Sequence, residues 1–517
     1  RTPADFDNRD YIGTYYDNDG VASQNAHRSF IGNQNNLGYL GEGAPFYSNP
    51  GWTINQQESP SELHRFLFNP ELNVNLFKGV NLTARYGFDY YNQSRDAWFP
   101  VNSSGDVFEG SFGRSETTER NTSINAFLSG THIINSDFNF SWISGVQFED
   151  GFYTSIGGNS TIFTNPFVGD LRTFGNAEAA NETPRLTRLR QRKSGTYAVL
   201  NAELKNQFYF ELTGRYELPS TLTAPVFYPS ASAGWVFTET LKTDILTFGK
   251  IRASYGEVGI EPIAYASQTD YAAFDRGTSW GDALSASAYG NPFGRSSSSG
   301  NPLLRPERVR EYEVGTDLRF LNDKLSLGVT YYDRKTDQAL LAVDLAPSTG
   351  FTSVWDNAAV ITNKGLEIDL GIRITKFKAV DWRIDANFSR NENQVQKLTG
   401  VKSVSLNGFT GTSSRVVEGE PFATLWGGKW ARDDRGFIVL NSNGFPEVDP
   451  EEGVIGDPNP KWKGGIGSTL SWKGLTFSFQ VETFQGNDIW AGTESILKYF
   501  GVHPETANEF ITENEMR

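Results

Sequence analysis

Apolar and polar residues alternate one for one along much of this chain, a period that belongs to β-strands with two different faces. Phe66, Phe68, Leu72, Val74 and Leu76 fall on one face, with Arg65, Asn69, Glu71, Asn73 and Asn75 between them. Phe77-Lys78-Gly79 reads as a turn. Beyond it Val80, Leu82, Ala84, Tyr86, Phe88 and Tyr90 alternate with Asn81, Thr83, Arg85, Gly87 and Asp89. Two long alternating runs joined by a short turn make a β-hairpin.

The unit recurs. Ile124, Ala126 and Leu128 lead through Asn135-Ser136 to Phe138, Phe140, Trp142, Val146 and Phe148. Ala198 to Leu204 returns after Lys205-Asn206-Gln207 as Phe208 to Tyr216, and Tyr312 to Phe320 returns after Asn322-Asp323 as Leu325 to Tyr331. Leu366 to Ile374 pairs with Trp382 to Phe388, and Trp462 to Trp472 turns at Lys473-Gly474 into Leu475 to Val481. Residues 228–237 and 250–256 make a poorer pair. Together these runs give about 14 strands on the ten-residue template of membrane barrels. Short turns follow residues 76, 134, 204, 320, 374 and 472, whereas long loops are expected over roughly 91–119, 149–194, 257–308, 335–363 and 391–461. One short rim and one long-looped rim is the asymmetry of an outer-membrane barrel.

Alternation alone does not say which face is outside; strand number does. A ring this wide cannot be filled by side chains, so its interior holds water or a plug and the polar face lines it. The expected fold is therefore all-β, an antiparallel transmembrane β-barrel. Its lumen-lining candidates are Arg85, Asp89, Glu211, Arg215, Asp317, Arg319, Asp369, Arg373, Arg383 and Asp385. Composition agrees: mean hydropathy is −0.45, yet 14% of residues are aromatic and 52 are glycine. No run approaches the roughly 20 apolar residues of a spanning helix. A net charge of −15 argues against an electrostatic nucleic-acid footprint, and the absence of cysteine removes disulfides and thiol chemistry.

Asn301 to Glu307, Tyr331 to Asp337, Asn363 to Glu367, Gly419 to Pro421, Gly456 to Trp462 and Tyr228 to Trp235 are six strings that together resemble those of the SusC/RagA-like TonB-dependent transporters. Asn301-Pro302-Leu303-Leu304-Arg305-Pro306-Glu307 is similar to that family's NPxLKPE, and Tyr331-Tyr332-Asp333-Arg334-Lys335-Thr336-Asp337 to its YYxxKTxD. Asn363-Lys364-Gly365-Leu366-Glu367, Gly419-Glu420-Pro421, Gly456 to Trp462 and Tyr228 to Trp235 resemble four more, in family order. The resemblance implies a barrel of 22 strands closed by an N-terminal plug. It implies a SusD-like surface lipoprotein as lid, energy supplied through TonB by way of the plug, and residence among the lipids of the outer membrane of a Gram-negative, Bacteroidetes-like bacterium. Active import of a glycan or an oligopeptide follows as the expected function. Residues 1–517 then represent about 14 of 22 strands, with the plug and the C-terminal strands expected to lie outside this chain. The alternative is a surface-displayed structural or adhesive β-protein without transport.

Chemistry-bearing motifs are sparse. Gly277-Thr278-Ser279-Trp280-Gly281 fits G-x-S-x-G but lies in a polar loop, not on a strand-turn-helix, so no enzyme is expected. His27, His64, His132 and His503 have no zinc-type spacing. Asp17-Asn18-Asp19-Gly20 and, more so, Asp449, Glu451 and Glu452 offer oxygen ligands for a structural calcium, without completing an EF-hand. Loop aromatics are the candidate ligand contacts: Trp98, Phe99, Phe274 and Trp280, with Asp275 and Arg276 to orient a polar group. Their other reading is packing of loop on loop or loop on lid.

Overall fold

The computed structural model describes residues 50–103, 107–165, 172–241, 243–273, 276–278, 281–284, 293–374, 380–409, 411–499 and 503–507. One antiparallel wall dominates, fourteen strand positions long, each strand beside its sequence neighbour. Position β1 is split into β1a (Ser61–Phe68) and β1b (Glu71–Phe77). The wall continues with β2 (Val80–Phe99), β3 (Ser111–Asn135), β4 (Phe138–Thr161), β5 (Glu182–Leu204), β6 (Phe208–Pro219), β7 (Val226–Val236) and β8 (Leu246–Ile260). It then runs through β9 (Glu307–Phe320), β10 (Leu325–Asp344), β11 (Ser353–Ile374), β12 (Val380–Leu398), β13 (Trp462–Trp472) and β14 (Leu475–Gln485). Among the described residues β1 and β14 pair with a strand on one side only.

The two parts of β1 pair with β2 in one register, Phe68 opposite Phe88 and Glu71 opposite Arg85. The break falls at Asn69-Pro70, where proline has no N–H to give the ladder; an edge strand tolerates that, an inner one does not. The short turns lie where expected, apart from the one after residue 374, which falls outside the described residues. Lys205 and Asn206 both have positive φ (56° and 53°), and the Gln207 amide donates to the Leu204 carbonyl at 3.0 Å. Two left-handed central residues match the twist of a tight hairpin. Lys473 and Gly474 (46° and 89°) do the same between β13 and β14.

Register carries one apolar face across the whole wall. Tyr86 lies opposite Ile124 and Ile124 opposite Phe148. Trp142 faces Leu200, which faces Leu212. Val329 meets Ile368, Ile368 meets Phe388, and Ile466 meets Val481. In a water-soluble sheet such a face would be covered. Here Leu212 is 56% and Phe477 65% exposed, with many similar residues beside them. An exposed apolar band of this extent is a lipid-facing surface.

Buried apolar packing lies instead above the wall, on the side of the long connections. Ala339, Leu341, Val343, Ala359, Val395, Val404 and Val416 form a compact core there. It joins β10, β11 and β12 to a four-stranded crown sheet made of Ser403–Phe409, Thr412–Val417, Thr424–Gly427 and Gly453–Gly456. The long loops are shorter than expected. Strand pairing runs to Phe99 and restarts at Ser111, reaches Thr161 and restarts at Glu182, and holds through Asp344, from Ser353 and to Leu398. Alternation stops sooner because the wall rises beyond the lipid: both faces meet water, both become polar, and the ladder continues without a hydropathy signal.

Candidate functional site

All ten charged candidates lie on the polar face, opposite the exposed apolar residues. Register lines Asp317, Gly328, Asp369 and Asn387 in one row and Arg319, Ser326, Gly371 and Asp385 in the next. Gly328 leaves the space between Asp317 and Asp369 unfilled, while the Ser326 hydroxyl occupies the space beside Gly371. A recess of about 540 Å³ results, bordered by Asp317, Arg319, Asp369, Arg383 and Asp385. A larger recess, about 720 Å³, contains Glu211 with Glu203, Tyr209, Lys250 and Arg252.

The wall charges are arranged in pairs of opposite sign. Arg65 grips Asp89 through two hydrogen bonds (2.9 and 2.7 Å), and Arg85 meets Glu71 at 2.5 Å. Arg215 reaches Glu217 at 2.5 Å and the Gln147 side chain at 2.8 Å. Arg373 holds Asp381 at 2.7 Å, and Arg383 holds Asp385 at 2.8 Å. The partners Arg65, Glu71, Glu217 and Asp381 complete pairs of which the sequence reading named one half. Lys250 and Arg252 were also missed. Arg252 pairs with Glu313 and stands 3.5 Å from Asp317. Gly249, Ala253, Glu257 and Gly259 fall at the apolar positions of their strand, which weakens the period.

The aromatic candidates divide. Trp98 is 6% exposed, not open to a ligand. Its ring stacks on Phe163 (5.2 Å, 18°), packs with Phe112 and lies under the Arg172 guanidinium at 5.3 Å. Arg172 in turn makes two hydrogen bonds to Glu58 (2.7 and 2.9 Å), which hold that carboxyl below its usual range. For Trp98 loop-on-loop packing replaces ligand contact, because the segment carrying Phe163 and Arg172, distant in sequence, covers it. Phe99 is half-buried at the end of β2. Arg276 lies in Arg276–Thr278, paired with Gly281–Leu284; Phe274, Asp275, Trp280, Asp17–Gly20 and His27 lie outside the described residues.

The acidic crown residues are engaged by the protein itself. Asp449 accepts the Glu451 amide at 3.0 Å and faces Lys429 at 3.5 Å; both hold its carboxyl below the usual range. Glu452 accepts from the Trp426 indole at 3.2 Å and faces Arg415 at 3.7 Å. Among the described residues no three His, Asp or Glu side chains are grouped to hold a metal.

Around them the crown has a repeat that the sequence reading overlooked. Asp433-Asp434-Arg435-Gly436-Phe437 and Asn441-Ser442-Asn443-Gly444-Phe445 are spaced by eight residues. Each begins with a side-chain oxygen that caps its own turn, as Asx residues do. Trp430, Phe437, Leu440 and Phe445 stand exposed beside them. The spacing of Asx and Gly-Phe was the available signal.

Residues 2–503 match the model of the TonB dependent receptor-like β-barrel family. The chain belongs to that family. This family member is 27% identical over 321 residues to TonB-dependent receptor P26 of Formosa agariphila, covering 57% of this chain and 32% of that protein. It is 26% identical over 219 residues to TonB-dependent receptor SusC of Bacteroides thetaiotaomicron, covering 40% of this chain and 21% of that protein. Its fold is similar to that of the RagAB peptide transporter, with a TM-score of 0.70 at 20% identity, covering 84% of this chain and 48% of that one. The barrel chain thus spans about a third or less of the curated relatives' length. Its family consists of outer-membrane transporters, not enzymes.

Proposed function

We propose that the protein containing this chain imports an oligomeric nutrient, a glycan or an oligopeptide, across the outer membrane. A SusD-like lipoprotein closes the mouth over the crown, and TonB supplies the energy from the periplasm. The observation that supports this most is the two-sided wall: one side apolar and exposed, the other lined with recesses and paired charges that a hydrated solute can pass. The crown adds exposed aromatics above that path, the side chains that stack on sugar rings or cover apolar peptide side chains.

Native mass spectrometry of the protein, extracted from its source membrane in mild detergent, tests the reading. The expected species exceeds 57.5 kDa and carries a second, lipidated chain. A species that stays soluble without detergent and carries no second chain would overturn it. Uptake of labelled glycan against labelled oligopeptide, in cells with and without the gene, then separates the two substrate classes.

A further inference from the structure

The lipid-facing side of the wall carries a cationic patch just above its apolar band. On β4 the band runs from Phe138 to Phe148. Ten steps at about 3.3 Å and a tilt near 40° climb roughly 25 Å, the height of an outer-membrane barrel's apolar belt. The next outward positions are Asp150 and Phe152. Register places Arg192 opposite Asp150, Arg190 opposite Phe152 and Arg188 opposite Thr154. From the other side Arg120 lies opposite Phe152. Four arginines on the outward face of three adjacent strands thus surround a single carboxylate. In a chain of net charge −15, this is a concentrated exception.

Asp150 satisfies only part of that charge. Arg190 holds it with two hydrogen bonds (2.9 and 2.7 Å), and Arg192 approaches it at 3.4 Å. Arg120 extends over the Phe152 ring, 5.6 Å from its centre. Arg188 makes no ion pair among the described residues, and all four arginines are exposed. The acids higher on this face, Asp96 and Glu116, stand beside Arg114 at 3.7 and 3.8 Å. Cations held at the upper edge of an apolar band lie at headgroup depth, where they meet the phosphates of the outward leaflet.

We propose that Arg120, Arg188, Arg190 and Arg192 form a binding site for the phosphate groups of outer-leaflet lipid. Arg190, fixed by Asp150, provides the rigid part of the site. Arg120, Arg188 and Arg192 supply the excess positive charge, and the phosphate esters sit above Phe152 with their acyl chains against Phe148 and Val146. The proposal rests on the lipid-facing reading of the apolar side but not on what the protein transports.

The test is native mass spectrometry of the full-length protein in non-ionic detergent. The probes are a diphosphorylated glycolipid (lipid A), its dephosphorylated form and inorganic phosphate. The wild type is expected to retain the phosphorylated lipid in preference to the dephosphorylated one. A basic side chain near an anionic leaflet is worth roughly fivefold in affinity, so R120Q/R188Q/R192Q should lose about a hundredfold, while R120K/R188K/R192K stays within several-fold. Heat-modifiable gel mobility verifies folding. If the triple variant does not fold, Arg188→Gln alone decides, with a loss of about fivefold. Equal retention of the two lipids, or binding unchanged on removal of the charges, would overturn the site. Displacement by inorganic phosphate at concentrations equal to the lipid's would replace it with a soluble-anion site. Capture of the lid lipoprotein, measured in parallel, is expected to be unchanged.

Discussion

Asp433 and Asn441 make the same pair of hydrogen bonds, eight residues apart. Asp433 Oδ1 accepts the amides of Arg435 and Phe437 at 3.0 and 2.9 Å; Asn441 Oδ1 accepts those of Asn443 and Phe445 at 2.9 and 3.0 Å. One oxygen belongs to a group that titrates and the other does not.

The two turns should therefore respond differently to acid. The Phe437 amide, with the Arg435 side chain, holds the Asp433 carboxyl below its usual range. A depressed folded value means the contribution is complete above about pH 4, where an unfolded Asp ionises, and fades as pH falls through the lower folded value. Hydrogen exchange between pH 5 and pH 3, corrected for intrinsic rates, should show protection lost at Phe437 but kept at Phe445. Equal loss at both would refute the assignment.

Trp98 is predicted to be structural. Trp98→Ala should destabilise the loop that covers it by about 3–5 kcal/mol, the cost of deleting a buried aromatic. Limited proteolysis between residues 162 and 181 measures this. A tryptophan that served only to touch a ligand would leave the cleavage rate unchanged.

The outward face should reject charge. Leu212 is central in β6 and exposed, so Leu212→Arg should cost about 2–4 kcal/mol, as a cation near the bilayer midplane does. Its inward neighbour, as Thr213→Asn, should cost under about 1 kcal/mol. Urea titration of the full-length protein folded in phospholipid vesicles compares them. Similar losses at both positions would mean that the wall has no lipid side.

One turn residue is not optimal for its backbone. Lys473 has φ 46° ahead of Gly474 at 89°, and a left-handed lysine costs roughly 1 kcal/mol. Lys473→Asn restores the pair preferred in tight hairpins. The expected gain is about 0.5–1 kcal/mol, seen as a higher urea midpoint at constant slope.

The wall was legible in the sequence because lipid on one side and water on the other impose a strict two-residue period. Leu366 to Ile374 and Leu475 to Val481 could be read directly. Above the membrane that contrast disappears. Asn92, Gln93 and Ser94 pair as strand residues although nothing in their polarity marks them. Ion-pair partners such as Asp381 for Arg373 depend on cross-strand register, which is a property of the fold rather than of either segment. Trp98 looked like a ligand-contact residue for a related reason: the loop that covers it is distant in sequence and carries no period.

The wall's apolar side also determines where the protein can mature. A water-soluble chain hides its oily residues by collapsing upon itself, whereas Leu212, Phe477 and their neighbours remain uncovered after the strands of the wall have paired. Lipid must supply that missing half of the stabilisation. Assembly is then bound to the arrival of the bilayer, and before it arrives the chain has to be carried unfolded by escorts that shield its strands.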